Sequence, residues 1–135
     1  MKLNFTMSEL LHSDEAIRNK INNIPNDKQI LDNLLLLLTE CLQPIRNYIG
    51  KPIKVTSGYR CQTLNNLPTI RGAKNSEHLT GRAADIVVSG MTPRQLIEKI
   101  KASGVEYRQL INEHNLWTHI SYSKGNNIKQ SFEIL

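Results

Sequence analysis

The stretch "ADIVVSGMTPRQLIEKIKASG", residues 84–104, decides the fold. Its first seven residues are apolar and rich in β-branched side chains, the composition of a buried central strand, with Asp85 at its entrance. The remainder is a helix with both ends written into it: Thr92 caps it, Pro93 takes the first helical position, Leu96, Ile97 and Ile100 share a face, and Gly104 ends it. A strand delivered straight into an amphipathic helix implies a sheet with helical cover.

Upstream the sequence is helical. "MSELLH" at 7–12 reads as a short helix that Thr6 or Ser8 caps, and "SDEAIRNK" as a second one capped by Ser13, with acids in its first turn. After the loop "NNIPNDK", Ile30, Leu34, Leu37, Leu38, Cys41, Leu42, Ile45 and Ile49 recur at mostly three- and four-residue steps. That spacing predicts one long helix from Asp27 to Ile49, kinked by Pro44 and ended by Gly50. "PIKVTSGY" alternates Ile53, Val55 and Ser57 against Lys54, Thr56 and Gly58, a short strand with one buried face. Residues 60–80 have no period and much Asn, Gly, Ser and Thr, and a loop of that length inside a domain is usually functional. Two further strands follow the inserted helix, "YRQLINE" at 107–113 and "LWTHISYS" at 116–123, joined by "HN". Helices first and strands afterwards predict an α+β single domain spanning 1–135, a small, mainly antiparallel sheet flanked by helices.

With 135 residues the chain can bury about two-thirds of its unfolded surface around one core. Its formal charge of +5 favours anionic partners, but Lys and Arg are scattered, as in Lys51/Lys54 and Lys99/Lys101, with no run of five like charges. The expectation is therefore a solvated basic surface and no nucleic-acid site. Cys41 and Cys61 match neither a zinc pair nor a redox motif, and Cys41 lies where a small buried hydrophobe belongs. "MKLNFTMSELL" lacks the apolar core of a secretory signal, and "LLLLL" at 34–38 is too short to span a bilayer. A protein made in the cytoplasm and acting elsewhere would need another route out. A monomer without an integral membrane segment is expected.

Chemistry concentrates in "SEHLTGRAAD", residues 76–85, where His78 and Asp85 stand seven apart with Gly81 between them. A lone histidine in a polar loop is ordinarily a surface group, but Gly81 would let this loop fold back until both side chains converge. Strand alternation puts Trp117, His119, Ser121 and Ser123 on one face, so His119 can line a cleft, and Glu113 ends the companion strand across the short turn. His78, Asp85 and His119 supply two nitrogens and a carboxylate, a ligand set for one zinc ion with a position left open for water. Glu113 is the candidate general base; Glu77, next to a ligand, is its rival. Asn65, Ser57 and Ser76 either line the cleft or satisfy loop backbone.

"SEHLTGRAADI" resembles the Ser-x-His-x-x-Gly-x-Ala-x-Asp signature of the zinc D-alanyl-D-alanine carboxypeptidases and their phage endolysin relatives, with Ala83 at the signature alanine. "LWTHIS" is similar to that family's closing Trp-x-His-x-Ser element, "VTSGYR" to the segment before the zinc loop, and "FTMSELLHSDEA" to the start of small phage-type members. The resemblance implies a fold of the DD-peptidase and hedgehog-like kind, with zinc on His78, Asp85 and His119. It implies that Arg60 holds a substrate carboxylate or carbonyl oxygen, with Ser76 and Trp117 as further substrate contacts. Many members carry an acid three residues before the last histidine, where this chain has Leu116; small phage-type members use a glutamate at the end of the preceding strand, which matches Glu113. The expected function is a zinc peptidase hydrolysing a stem-peptide bond of peptidoglycan, as a carboxypeptidase or an L,D-endopeptidase, after release to the cell wall as a phage or prophage lysin or as part of a virion. The alternative is a zinc-bearing wall-binding or virion module without catalysis, which Leu116 favours.

Overall fold

The computed structural model describes residues 2–135. Two short helices, α1 (Met7–Leu11) and α2 (Asp14–Arg18), open the chain. Thr6 and Glu9 form a reciprocal capping box on α1, and Ser13 caps α2 through the Ala16 N–H. The long helix runs as α3 (Lys28–Leu36), a π-helical segment (Leu37–Leu42) and α4 (Gln43–Ile49), ending at Gly50 with φ 73°. Pro44 has no N–H to give, and its ring crowds the carbonyl four residues back. The helix meets this by widening just ahead of it, so that the Gln43 N–H reaches back to Leu38 O. The predicted kink is thus a change of helical register.

Five strands follow: β1 (Lys54–Ser57), β2 (Ala83–Val87), β3 (Gln109–Glu113), β4 (Trp117–Ser121) and β5 (Gln130–Ile134). They form one mixed sheet in the order β1-β2-β4-β3-β5, antiparallel except where β5 runs parallel to β3. The α+β expectation with a mainly antiparallel sheet holds; β5 adds a parallel edge that the sequence reading left out. The loop over 60–80 contains two brief helical turns, α5 (Gln62–Asn65) and a 3-10 turn (Glu77–Thr80). Helix α6 (Pro93–Ser103) has the predicted Thr92 cap and Gly104 end, and its box is completed by Gln95.

One face of the sheet is apolar: Ala84, Ile86, Leu110 and Ile120, each fully buried, pack with Leu34, Leu37, Leu42 and Ile45 of the long helix and Leu96 and Ile100 of α6. Cys41 is buried in that core, where desolvation pushes its thiol pKa up, and both cysteines are free. The alternate residues of β2, β3 and β4, among them Ala83, Asp85, Ile111, His119 and Ser121, point to the other face and are buried too, with the 3-10 turn packed against β2. Among the described residues no helix is long and apolar enough to cross a membrane.

Candidate metal centre

Strand register builds this second face. Ser57 stands beside Asp85, Asp85 beside His119 and His119 beside Ile111, a row across four strands. Asp85 is the third residue of β2, one further in than a strand starting at Ala84 implies, because Ala83 already pairs with Ser121. Adjacent strands thus bring His119 Nδ1 to 3.2 Å from Asp85 Oδ1 with no help from a loop. At the end of the β3–β4 hairpin His114 and Asn115 both adopt φ 58°, and the Leu116 N–H donates to Glu113 O at 3.0 Å. Such paired left-handed residues match the twist of the strands.

His78 comes from the irregular segment and is held by more devices. Ser76 caps its 3-10 turn by accepting the His78 N–H at 3.1 Å, and Gly81 closes it with φ 75°. A Cβ on Gly81 would lie 2.7 Å from Ile30 O, so the glycine also lets the turn lie against α3, where Asn33 donates to Thr80 O at 2.9 Å. The ring is set by Gly58, whose carbonyl is 2.7 Å from His78 Nδ1. A carbonyl only accepts, so Nδ1 carries a proton, and Nε2, 3.3 Å from Asp85 Oδ1, is the nitrogen left to face a metal. Gly58 in turn presses on α1: a Cβ there would meet Leu10 O at 2.3 Å, and the Tyr59 N–H donates to that oxygen at 2.8 Å.

The three side chains offer ligand atoms within 4.8 Å of one another, all from buried residues. Two imidazole nitrogens facing one carboxylate oxygen in a buried pocket are a donor set that fits a divalent transition metal, zinc foremost. Burial pushes the Asp85 carboxyl pKa up, but His78 and His119 outweigh it and hold the group well below the usual carboxylate range.

These groups floor a cavity of about 460 Å³ that Arg60, Ser76, Glu77, Glu113 and Trp117 also line. Glu113 Oε1 is 3.8 Å from His119 Nδ1, while Oε2 accepts the Trp117 Nε1–H at 3.1 Å. Arg60 Nε is buried without a protein partner; burial lowers the guanidinium pKa, and the Asp85 and Glu113 carboxylates oppose that shift. Glu77 has one buried oxygen unpartnered and the other 3.4 Å from Arg108 Nε. Leu116, at the position of the missing acid, is exposed in the turn. Asn65 does not line the cavity: it is fully buried and donates to Ala73 O at 3.0 Å, fixing the wall behind Gly72.

Two positioning groups were not found from sequence. One is the Gly58 carbonyl, which lies inside the quoted "VTSGYR" but whose role depends on a contact twenty residues away. The other is Asn23, which donates to Leu11 O at 3.0 Å and Tyr59 O at 2.8 Å and accepts the Cys61 N–H at 2.8 Å. It therefore clips the backbone on both sides of Arg60. Nothing in "NNIPNDK" marks it out from the neighbouring asparagines.

A helix-backed sheet whose other face presents two imidazoles and a carboxylate at the floor of a cavity has the makings of a mononuclear metal hydrolase. The chain matches Peptidase M15 over residues 3–121 and belongs to that family, which makes it a hydrolase of metallopeptidase type. The match includes all three potential ligands and ends with β4, short of β5. No significant match to the chain was found among curated proteins.

Proposed function

We propose that the protein is a zinc-dependent peptidoglycan peptidase that hydrolyses a stem-peptide bond next to a D-amino acid. The observation that supports it most is the convergence of His78 Nε2, Asp85 Oδ1 and His119 Nδ1 in a cavity that also holds a carboxylate, Glu113, and a guanidinium nitrogen without a partner, Arg60. A zinc ion held by the three ligands would supply a Lewis acid and lower the pKa of water toward about 7. Glu113 would serve as the general base, its carboxylate accepting a proton from water and returning it to the leaving amine. Trp117 holds Glu113 through Oε2 and leaves Oε1 turned toward the ligands. Arg60, with planar paired donors, binds a carbonyl or carboxylate oxygen of the substrate and stabilises the charge that develops there. Ser76 and Trp117 are the nearest further substrate contacts. A basic surface suits a wall that bears anionic polymers.

The test is a digest of defined muropeptides by the zinc-loaded protein, read by mass spectrometry with metal content measured on the same sample. A new peptide fragment that disappears on chelation is expected. Stoichiometric zinc with no fragment from any muropeptide would reject the peptidase in favour of a wall-binding module.

A further inference from the structure

The cleft does not end at the metal ligands. Beyond Arg60, Ile70, Asp85 and Trp117, which it shares with the first cavity, a second cavity of about 380 Å³ opens on the N-terminal side of the fold. Its far wall is the α1–α2 turn, residues 12–15, with Ser57 and Thr69 beside it. We propose that this second cavity is a substrate subsite: the peptide lies on both sides of the bond to be cut, its N-terminal part against the α1–α2 turn. This rests on the peptidase reading and adds where the chain runs.

Three observations carry it. The wall is braced rather than a stray surface dent: Ser13 caps α2, Thr69 Oγ1 donates to Glu15 Oε2 at 3.1 Å, and Asn23 ties the end of α1 to the backbone around Arg60. The two cavities meet at a metal-ligand candidate, Asp85, and at Trp117, so one bound chain can cross from the first to the second over the reacting centre. Their charges also differ. Arg71 is the one arginine the first cavity does not share, and it stands there with Glu77, which pairs with Arg108, and Glu113; the second has no lysine or arginine except the shared Arg60 and is lined by hydroxyls, His12 and the Asp14 and Glu15 carboxylates, which pair with His12 and Arg18. A peptide carries its N–H donors and any ammonium toward acceptors of that kind, and its terminal carboxylate toward arginine. Arg71, the one unshared arginine, thus sets the direction of the chain, with the C-terminal part on its side.

The experiment uses the zinc-loaded full chain carrying Glu113→Gln, titrated with a muramoyl pentapeptide and followed by amide chemical shifts. Shifts at both walls, residues 12–15 with Thr69 and residues 72–78, are expected. A bulky Thr69→Trp in the same background should weaken the dissociation constant at least tenfold; Asp14→Arg, on the other side of the cavity, should weaken it in the same direction. Shifts confined to residues 72–78, or an affinity that neither substitution lowers, would overturn the subsite while leaving the peptidase reading intact. No binding at either wall would remove both.

Discussion

The two halves of the ligand set are built in opposite ways. Asp85 and His119 sit on neighbouring strands in register, and their distance follows from sheet geometry alone. His78 sits on a short 3-10 turn in an otherwise irregular stretch and depends on a serine cap, a left-handed glycine, an asparagine from α3 and the carbonyl of Gly58. Strand ligands come at little extra cost because the backbone ladder already fixes them. A loop ligand has to be fixed by contacts that serve no other purpose, so it should be the weaker half when the surroundings are disturbed.

Removing a ligand itself gives the largest effect, and on both halves alike. Asp85→Ala, His119→Ala and His78→Ala should each abolish stoichiometric zinc by metal analysis and lower kcat/KM about a thousandfold or more, since the ion contributes several kcal/mol at roughly 1.4 kcal/mol per decade. An active, zinc-loaded Asp85→Ala would break the ligand assignment. Next comes Glu113→Gln, which leaves the ligands alone: zinc stays bound, and kcat falls by about 10²–10⁴ as for the loss of a general base. Full activity with zinc retained would reject Glu113 as the base and bring Glu77 forward.

The comparison itself is tested by a pair of milder substitutions. Gly58→Ala forces a Cβ to within 2.3 Å of Leu10 O and shifts the carbonyl that orients His78. It should destabilise the fold by about 1–3 kcal/mol, as overpacking does, and weaken zinc affinity about 10–100-fold, as loss of an orienting partner does. Ile111→Val, beside His119 in the strand row, should cost only about 0.5–1.5 kcal/mol by denaturant unfolding and leave zinc affinity unchanged. Equal losses of zinc affinity in the two variants would mean that the strand ligands are as sensitive to their surroundings as the loop ligand.

Legibility in the sequence divides along the same line. Helix α6 and its caps, the β3–β4 hairpin and the place of Glu113 at its end are local patterns, so periodicity and turn residues revealed them. The ligand residues stood out because chemistry restricts which side chains can bind zinc. What could not be read was non-local. β5 pairs in parallel with a strand some twenty residues earlier, and "QSFEI" alone does not announce that partner. The start of β2 was placed one residue late, at Ala84, because Ala83 has little strand preference and is strand by pairing with Ser121 of β4. The carbonyl behind His78 is likewise settled by a contact twenty residues away, not by neighbours in sequence.

Asn23 extends the comparison to Arg60, which also stands on irregular backbone. Its own N–H donates to His78 O at 3.1 Å, and Asn23 holds the Tyr59 carbonyl before it and the Cys61 N–H after it. Asn23→Ala leaves those groups and Leu11 O without that partner, at a cost to stability of about 1–3 kcal/mol if water does not replace it. Because Arg60 holds the substrate as well as the charge that develops on it, KM should rise about three- to tenfold and kcat fall with it, with zinc content unchanged. Asn23→Asp is the sharper variant: its carboxylate can still accept the Cys61 N–H but sets a buried acceptor against Tyr59 O and Leu11 O, so its KM should rise at least as far as that of Asn23→Ala. A purely structural asparagine would lower the melting temperature in both variants and leave KM where it was, and that outcome would sever Asn23 from the binding of substrate.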